Sequence, residues 1–347
     1  MGRGTTIADV AALAQVSTAT VSRTLAAPDR VSGPTRERVL EAVRQTGYTP
    51  NVAAQSLRVA RSMMVLVVVP HQVTPFFSDL LLAIDRALSQ HGYGMLVGDL
   101  TDPAEQEPRL VRLAAAGRVD GLILLNGAIL RDGDRRIDNL GVPIVGLCVP
   151  AGSSVPAVLA DDRGGGAAVA HHFLALGHRR FGYVSGPRGN HNEMQRYLGF
   201  ARALRSAGIS NNAIMRFEGD FHIPSGACAG ADFLKVFRPP TAVFCASDMM
   251  AMGFIHSVQA AGVSIPQDVS VAGFDGIEIA QYCSPSLTTV EQPREAMGRE
   301  AARAILDLLE AGEGERAKAS NSRTCLGVTL RVGASSAPPK TDGESIT

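Results

Sequence analysis

An all-α helix-turn-helix head, a hinge helix and an α/β body of two doubly wound parallel-sheet lobes make up the fold class this sequence predicts. Three observations carry it. Residues 6–47 show apolar positions at helical spacing in three short stretches. Strand–helix alternation runs from Met64 to Leu125 and restarts after Asp161-Asp162. At 347 residues the chain is also longer than one hydrophobic core usually organises.

The bulk composition limits the function classes. Apolar residues are 46% and charged residues 19%, as in globular proteins with a real core. No stretch approaches the ~20 apolar residues of a membrane span, and the N-terminus lacks a charged-then-apolar leader, so a cytoplasmic protein without membrane contact is expected. Cys148, Cys228, Cys245, Cys283 and Cys325 are scattered without a close pair, which predicts reduced core residues rather than disulfides or a thiolate metal site. The formal charge of zero hides an asymmetry: residues 1–61 hold eight arginines against Asp9, Asp29, Glu37 and Glu41, a surplus of four that the rest of the chain cancels. A basic head on an acidic body points to an anionic partner for the head.

In the head, Ile7, Val10, Ala11 and Ala14 share one face of a first helix. Ser17 can cap a second, with Val16 and Val21 as a hydrophobic staple and Val21 and Leu25 facing inward. Pro28-Asp29-Arg30 reads as a turn; Ser32 and Pro34 open a third helix, Val39, Leu40 and Val43 form its buried stripe, and Gly47 ends it. Two helices about a tight turn, braced by a third, form the plan that lays its second helix in the DNA major groove. Thr6, Ser17, Thr18, Ala19, Ser22 and Arg23 are the candidate contacts: hydroxyls for phosphates or bases, Ala19 for a thymine methyl, Arg23 for guanine O6 and N7. The bland reading is a three-helix bundle with a polar face. Beyond it, Asn51 can cap a segment of about two turns, too short to be stable alone, in which Leu57 has the make-up of a minor-groove wedge and Arg58 of a phosphate contact. Its bland reading is a plain linker.

The body opens with the β-branched run Met64 to Val69, as expected of a strand buried on both faces. A helix (Phe76 to Gln90), a strand (Gly94 to Val97), a helix (Glu105 to Ala116) and a strand (Gly121 to Leu125) follow. The second series has a helix from Ala167 to Leu176, a strand at Phe181 to Val184, helices Arg196 to Ala207 and Gly226 to Val236, and strands Ala242 to Cys245 and Val269 to Ala272. Ligands of such sheets bind beyond the carboxyl ends of strands, so two facing lobes would enclose one cleft. Phe76, Phe77, Asp161, Asn190, Asn192, Arg196, Phe221, Asp248 and Asp275 fall near those ends and could sandwich a ring and bond its hydroxyls or amides. Any one of them alone is better explained by structure; their shared location at strand ends is the argument for a site.

Gly164-Gly165-Gly166 lacks the partners of a phosphate loop, and its glycines are assigned to backbone geometry where the chain crosses lobes. His171, His172 and His178 lack a Cys or acidic partner at ligand spacing, so no metal site is expected. No catalytic constellation is found, and neither an enzyme activity nor a cofactor is predicted. The expected domains are 1–50 for the head, 51–62 for the hinge and 63–333 for the body, with lobes at 63–160 plus 291–320 and 161–290 plus 321–333. Residues 334–347 read as a disordered tail.

The run Thr6 to Ala11, the segment Val16 to Arg23, and Gly47 to Asn51 with Leu57-Arg58 resemble the head and hinge of the lactose-repressor (LacI/GalR) family. Further likenesses, including Gly177-His178-Arg179-Arg180, Asp248 to Gly253, Gly273-Phe274-Asp275 and Leu287 to Pro293, run through the body to about Val332. The resemblance implies that Thr18, Ala19 and Arg23 read the major groove and that Leu57 pries open a central base step. It also implies a periplasmic-binding-protein-like body that dimerises, with Phe76, Phe77, Arg196, Phe221 and Asp275 touching an effector. Pro75 to Asp79 and His91 to Gly94 look like the cytidine-responsive and purine-responsive branch. The expected function is a homodimeric repressor on a near-palindromic operator in double-stranded DNA, controlled by a nucleoside, purine or sugar; the alternative is a soluble sugar-binding receptor without DNA function.

Overall fold

A computed structural model describes residues 5–48, 61–70, 74–312, 314, 316 and 322–340, and among the described residues of its first unit are three short α-helices. The chain divides into two units, Met1–Ser62 and Met63–Thr347, and each is treated by itself. In the first, α1 (Ile7–Ala14) begins where the Thr6 amide donates to the Asp9 carboxylate at 2.8 Å. It stops at Gln15, in the left-handed region at φ 52°. The Ser17 hydroxyl accepts the Thr20 amide at 3.1 Å and starts α2 (Thr18–Ala26). A 3-10 turn at Pro28–Arg30 leads to α3 (Gly33–Thr46), which Gly47 ends at φ 60°. Val10, Ala11, Ala14, Val21, Val39 and Ala42 form the core, with Val16, Leu25 and Val43 against it. One assignment is corrected: Leu40 is exposed and Ala42 takes its place, because the buried face of α3 runs through positions 39, 42 and 43 and Leu40 lies one residue, about 100°, away. Asn51, Leu57 and Arg58, and with them the hinge helix, lie outside the described residues.

The second unit is built on two six-stranded sheets. The first holds β1 (Met64–Val69), β2 (Gly94–Asp99) and β3 (Gly121–Leu124). After a small hairpin of β4 (Arg131–Asp132) and β5 (Arg135–Arg136) come β6 (Ile144–Leu147) and β7 (Ala157–Ala160). The second holds β8 (Phe181–Val184), β9 (Ile214–Phe217), β10 (Ala242–Cys245), β11 (Ser270–Asp275) and β12 (Thr288–Glu291), and each sheet gains a late strand, β13 (Arg323–Leu326) or β14 (Thr329–Arg331). The orders are β13-β7-β6-β3-β1-β2, all parallel, and β14-β12-β11-β10-β8-β9, parallel except for β14. Helices α4 (Pro75–Ser89) and α5 (Pro103–Ala115) belong to the first lobe; α6 (Asp162–Ala175), α7 (His191–Ser206), α8 (Ile223–Phe233) and α9 (Asp248–Ala260) to the second. Finally α10 (Arg294–Glu310) returns to pack on α4. The chain thus passes between lobes after β7, after β12 and after β13.

Aromatic rings fill the second lobe: Phe181, Tyr183, Phe200, Phe244, Phe254 and Phe274 are all buried. Its helices approach closely, since a Cβ at Gly166 would stand 2.1 Å from the Arg196 carbonyl oxygen and one at Gly199 1.9 Å from that of Arg163. Of the glycine run, Gly166 therefore serves the contact of α6 with α7, whereas a Cβ at Gly165 would meet the Phe274 ring at 2.6 Å and one at Gly164 the capping carboxylate of Asp161.

Three further expectations are corrected. Residues 321–333 do not all join the second lobe: β13 pairs with β7, Arg323 opposite Ala157, and only β14 reaches the second sheet. A four-residue edge strand with no helix after it carries no periodicity that says which sheet it joins. Residues 334–340 are not a loose tail but a strap on the second lobe. Ser335 is fully buried; its carbonyl accepts the Val271 amide at 2.8 Å, and its hydroxyl donates to the Val271 carbonyl at 2.6 Å and accepts the Thr288 amide at 2.8 Å. His178 bonds the Ala337 carbonyl at 2.9 Å, and His172 bonds the Ser336 hydroxyl at 2.8 Å. The strap is held by polar bonds, which a composition low in large apolar groups conceals. Of the cysteines only Cys148 and Cys245 are core residues; Cys228 and Cys325 are exposed and Cys283 is intermediate. A side chain that small carries no periodic signal of its own. Among the described residues no helix is long and apolar enough to cross a membrane, and no three His, Cys, Asp or Glu side chains could hold a metal ion.

Candidate functional site

A cavity of about 240 Å³ lies between the lobes, at the carboxyl ends of both sheets. From the first lobe come Pro70 after β1, Phe76 and Phe77 at the start of α4, Leu125 after β3, and Cys148 after β6. The second lobe supplies Asn190 and Asn192 at the start of α7, Arg196 one turn on, Phe221 beyond β9, and Asp275 closing β11. Phe76 and Phe77 meet edge to face at 5.2 Å between centroids, and Phe76 packs against both lobe cores. Three of the lining residues hold positive φ: Cys148 at 66°, Phe221 at 74° and Asp275 at 115°. Such backbone costs ~1–3 kcal/mol per residue and collects where a site imposes it.

Arg196 organises the polar wall. Its side chain is 4% exposed; Nε donates to Asp162 at 2.7 Å, Nη1 to the Ala246 carbonyl at 2.6 Å, and Nη1 lies 3.3 Å from the Asp275 carboxylate. The guanidinium stacks on Phe274, 3.8 Å from its centroid. Burial works against its charge, but the fields of Asp162 and Asp275 outweigh it and hold the guanidinium above its usual range. Two carboxylates share this one cation. Burial raises Asp162, and burial pushes Asp275 up to about 6 against the pull of Arg196. The side-chain oxygen of Asn192 is buried without a hydrogen-bond partner.

Seven of the nine candidate body residues thus meet at the cavity: Phe76, Phe77, Asn190, Asn192, Arg196, Phe221 and Asp275. Asp161 and Asp248 do not line it. Asp161 caps α6 by accepting the Gly164 amide at 2.8 Å, and the next residue, Asp162, turns inward to Arg196. Adjacent helical positions cannot share a direction, so the inward carboxylate is Asp162 and not the expected Asp161. Asp248, at the start of α9, is buried inside the second lobe, where it accepts the Thr289 hydroxyl and, at 2.9 Å, the Ile277 amide. Asp220 and His222, beside Phe221, and Met249 also line the cavity and were missed. So were Cys148 and Val149, although the apolar run Ile144 to Val149 ending at Pro150 repeats the pattern read correctly at β1.

Burial and the nearby Asp275 push Asp248 up to about 8, against the bonds from Thr289 and the Ile277 and Gly276 amides. A folded-state value above the unfolded one means that stability is complete at low pH and is lost as pH rises from about 4 toward 8. Asp248→Asn keeps an acceptor for Ile277 and removes the ionisation. Its urea-unfolding free energy should fall less steeply than wild type between pH 5 and 8; equal slopes would show that Asp248 does not titrate there.

In the head, Thr6, Ser17, Thr18, Ala19 and Arg23 are exposed and Ser22 is half-buried. The Thr6 hydroxyl donates to Asp9 at 2.8 Å and the Ser17 hydroxyl pairs with that of Thr20 at 2.9 Å, so both already serve as helix caps.

Known proteins share both halves. Residues 6–51 match the bacterial regulatory proteins of the lacI family, and residues 170–336 a periplasmic binding protein-like domain. The chain is 36% identical over 315 residues to the HTH-type transcriptional repressor CytR of Escherichia coli K12, covering 90% of this chain and 92% of that one. It is 31% identical over 316 residues to the repressor PurR of Aliivibrio salmonicida, covering 90% and 94%. Among solved structures, a complex of the transcriptional regulator CelR with cellobiose superposes with a TM-score of 0.71 at 32% identity, over 95% of this chain and 99% of that one. The Lac repressor dimer bound to operator and the anti-inducer ONPF gives 0.81 at 27% identity, over 96% and 100%. With its head, its two-lobed body and nine-tenths of its length aligned to such repressors, the chain belongs to the lacI family of bacterial regulatory proteins.

Proposed function

We propose that the chain acts in the cytoplasm as a homodimeric repressor of near-palindromic operators, and that a nucleoside or sugar bound in the inter-lobe cavity sets its grip on DNA. The observation that carries the ligand reading is the unpartnered Asn192 oxygen inside an aromatic-walled cavity beside Arg196 and Asp275. Buried polar atoms of folded proteins nearly always have partners, so a donor from a ligand is the natural completion. Volume narrows the class. About 240 Å³ lies just under the ~300–1,000 Å³ common for small-molecule sites, which favours one or two rings over an oligosaccharide. The hinge residues Asn51, Leu57 and Arg58 would fold on the minor groove, as their sequence resemblance implies. Control of this kind works through binding and needs no turnover.

Calorimetry against adenosine, guanosine, cytidine, ribose and cellobiose tests the cavity, and mobility shift on genomic duplexes, with and without the binding compound, tests the regulation. Heat from none of them, or no preference for any duplex over random DNA at physiological salt, would overturn the proposal. Arg23→Ala should weaken the best duplex by about 1–3 kcal/mol, roughly 5- to 150-fold, and relax preference at one base position while random DNA is bound almost as before. An equal loss on both would reduce Arg23 to a phosphate contact.

A further inference from the structure

The turn at Asp275-Gly276 is held from two sides. Its amides face Asp248 and Thr289: the Ile277 N–H donates to Asp248 at 2.9 Å and the Gly276 N–H to the Thr289 hydroxyl at 3.3 Å. Its carbonyls face the other lobe's helix, where Arg294 at the start of α10 donates through Nη1 to the Asp275 carbonyl and through Nη2 to that of Gly276 at 3.1 Å. The third arm of the same guanidinium, Nε, donates to Asp79 on α4 at 2.9 Å. Arg294 is 14% exposed whereas Asp79 is 55% exposed, so the backbone contacts are the sheltered part and the ion pair the solvated part.

These contacts close a ring. The helix that carries Asp79 also carries Phe76 and Phe77, which wall the cavity, and the turn that offers its carbonyls to Arg294 presents the Asp275 side chain to the same cavity. Arg294 itself is not among the cavity-lining residues; it walls a wider groove of about 760 Å³ between α4 and α10. Ligand and Arg294 would therefore bridge the same two elements, one from inside the cavity and the other from behind. The turn lies close against β12 at its glycine, where a Cβ at Gly276, φ 66°, would stand 2.6 Å from the Glu291 side chain.

We propose that Arg294 is a positioning residue that sets the spacing between the Asp275 turn and α4, and through it the coupling between ligand and DNA. This rests on the effector reading above. A planar fork that spans two carbonyls and a carboxylate suits the task; a lysine offers only a point charge. A ligand that draws the Asp275 side chain inward moves the carbonyls behind it, and Arg294 carries that movement to the first lobe. By linkage, the ratio of DNA affinities with and without saturating ligand measures the coupling, typically ~5- to 150-fold.

The test uses the full chain, the duplex that wild type enriches from a random-sequence pool, and adenosine, guanosine, cytidine and ribose in turn. Wild type should change its DNA affinity at least fivefold with one of them. Arg294→Met should bring that ratio below about threefold, and Arg294→Lys should recover part of it. Loss of stability alone would lower the melting temperature and leave the ratio unchanged. A folded Arg294→Met protein with the wild-type ratio overturns the role of Arg294 alone. If Arg294→Met does not fold, Asp79→Asn, which cuts only the α4 side, must lower the ratio, and an unchanged ratio overturns the proposal. A wild type indifferent to these four compounds and to cellobiose sinks the effector reading and this role with it.

Discussion

Arg196→Met is expected to destabilise the two-lobed body by about 3–5 kcal/mol, the usual loss when one member of a buried ion pair is removed, and to abolish ligand binding. The substitution keeps most of the volume stacked on Phe274, so the loss reads electrostatics rather than a void. What remains is two buried carboxylates, Asp162 and Asp275, with no cation between them, and an Ala246 carbonyl without its donor. The sign with pH follows. Both acids already sit above their ordinary values, Asp275 at about 6, and losing Arg196 moves them higher still. Groups raised in the folded state stabilise fully below their unfolded value near 4 and cease to as pH rises through the folded one. The variant should therefore recover much of its deficit at pH 5 and show the full loss at pH 8 in urea titrations. A deficit independent of pH would mean that packing, and not charge, is what Arg196 supplies. A substitution aimed only at the ligand contact would therefore weaken the fold as well.

Ending the chain at Gly333 is expected to cost several kcal/mol in the second lobe. The Val271 amide and carbonyl and the Thr288 amide would lose the buried Ser335 partner, each unsatisfied group costing about 1–3 kcal/mol. Ser335→Ala isolates the hydroxyl's share, because that oxygen joins the Val271 carbonyl to the Thr288 amide. Lys340→Ala is the control: its pair with Asp268 is exposed, and such pairs contribute about 0–1 kcal/mol. Thermal melts of the three variants should rank truncation, then Ser335→Ala, then Lys340→Ala near wild type. A truncated chain as stable as the full one would show that the strap is incidental. Burial holds His178 below the usual histidine range, so the neutral ring that bonds Ala337 contributes above about pH 6.5 and is lost as acid charges it.

What the sequence made legible, and what it hid, follows from the kind of force involved. Strands buried on both faces announce themselves, and β1, β8 and β10 have the boundaries read from their apolar runs. Phe76, Arg196, Phe221 and Asp275 could be placed because strand ends in such sheets converge on one cleft. Finer choices depend on direction within a single turn of helix: Asp161 or Asp162, Leu40 or Ala42. Polar docking left no pattern at all, so the Ser335 strap and the clasp of Arg294 on two carbonyls became visible only in three dimensions. Pairing partners of edge strands were hidden for the same reason, as β13 shows.

That late strand bears on how the molecule is made. Parallel pairing with β7 supplies the border of a sheet whose other members are all encoded before residue 161, and α10, which covers it, is encoded after residue 293. A ribosome therefore delivers the whole second lobe up to β12 while the first still lacks a helix and its outer strand. Domains commonly fold in order of emergence during synthesis. Here the half that is begun first must wait for residues 294–326 before its apolar face is covered and its sheet is bordered, and only β14 and the Ser335 strap of the second lobe come later.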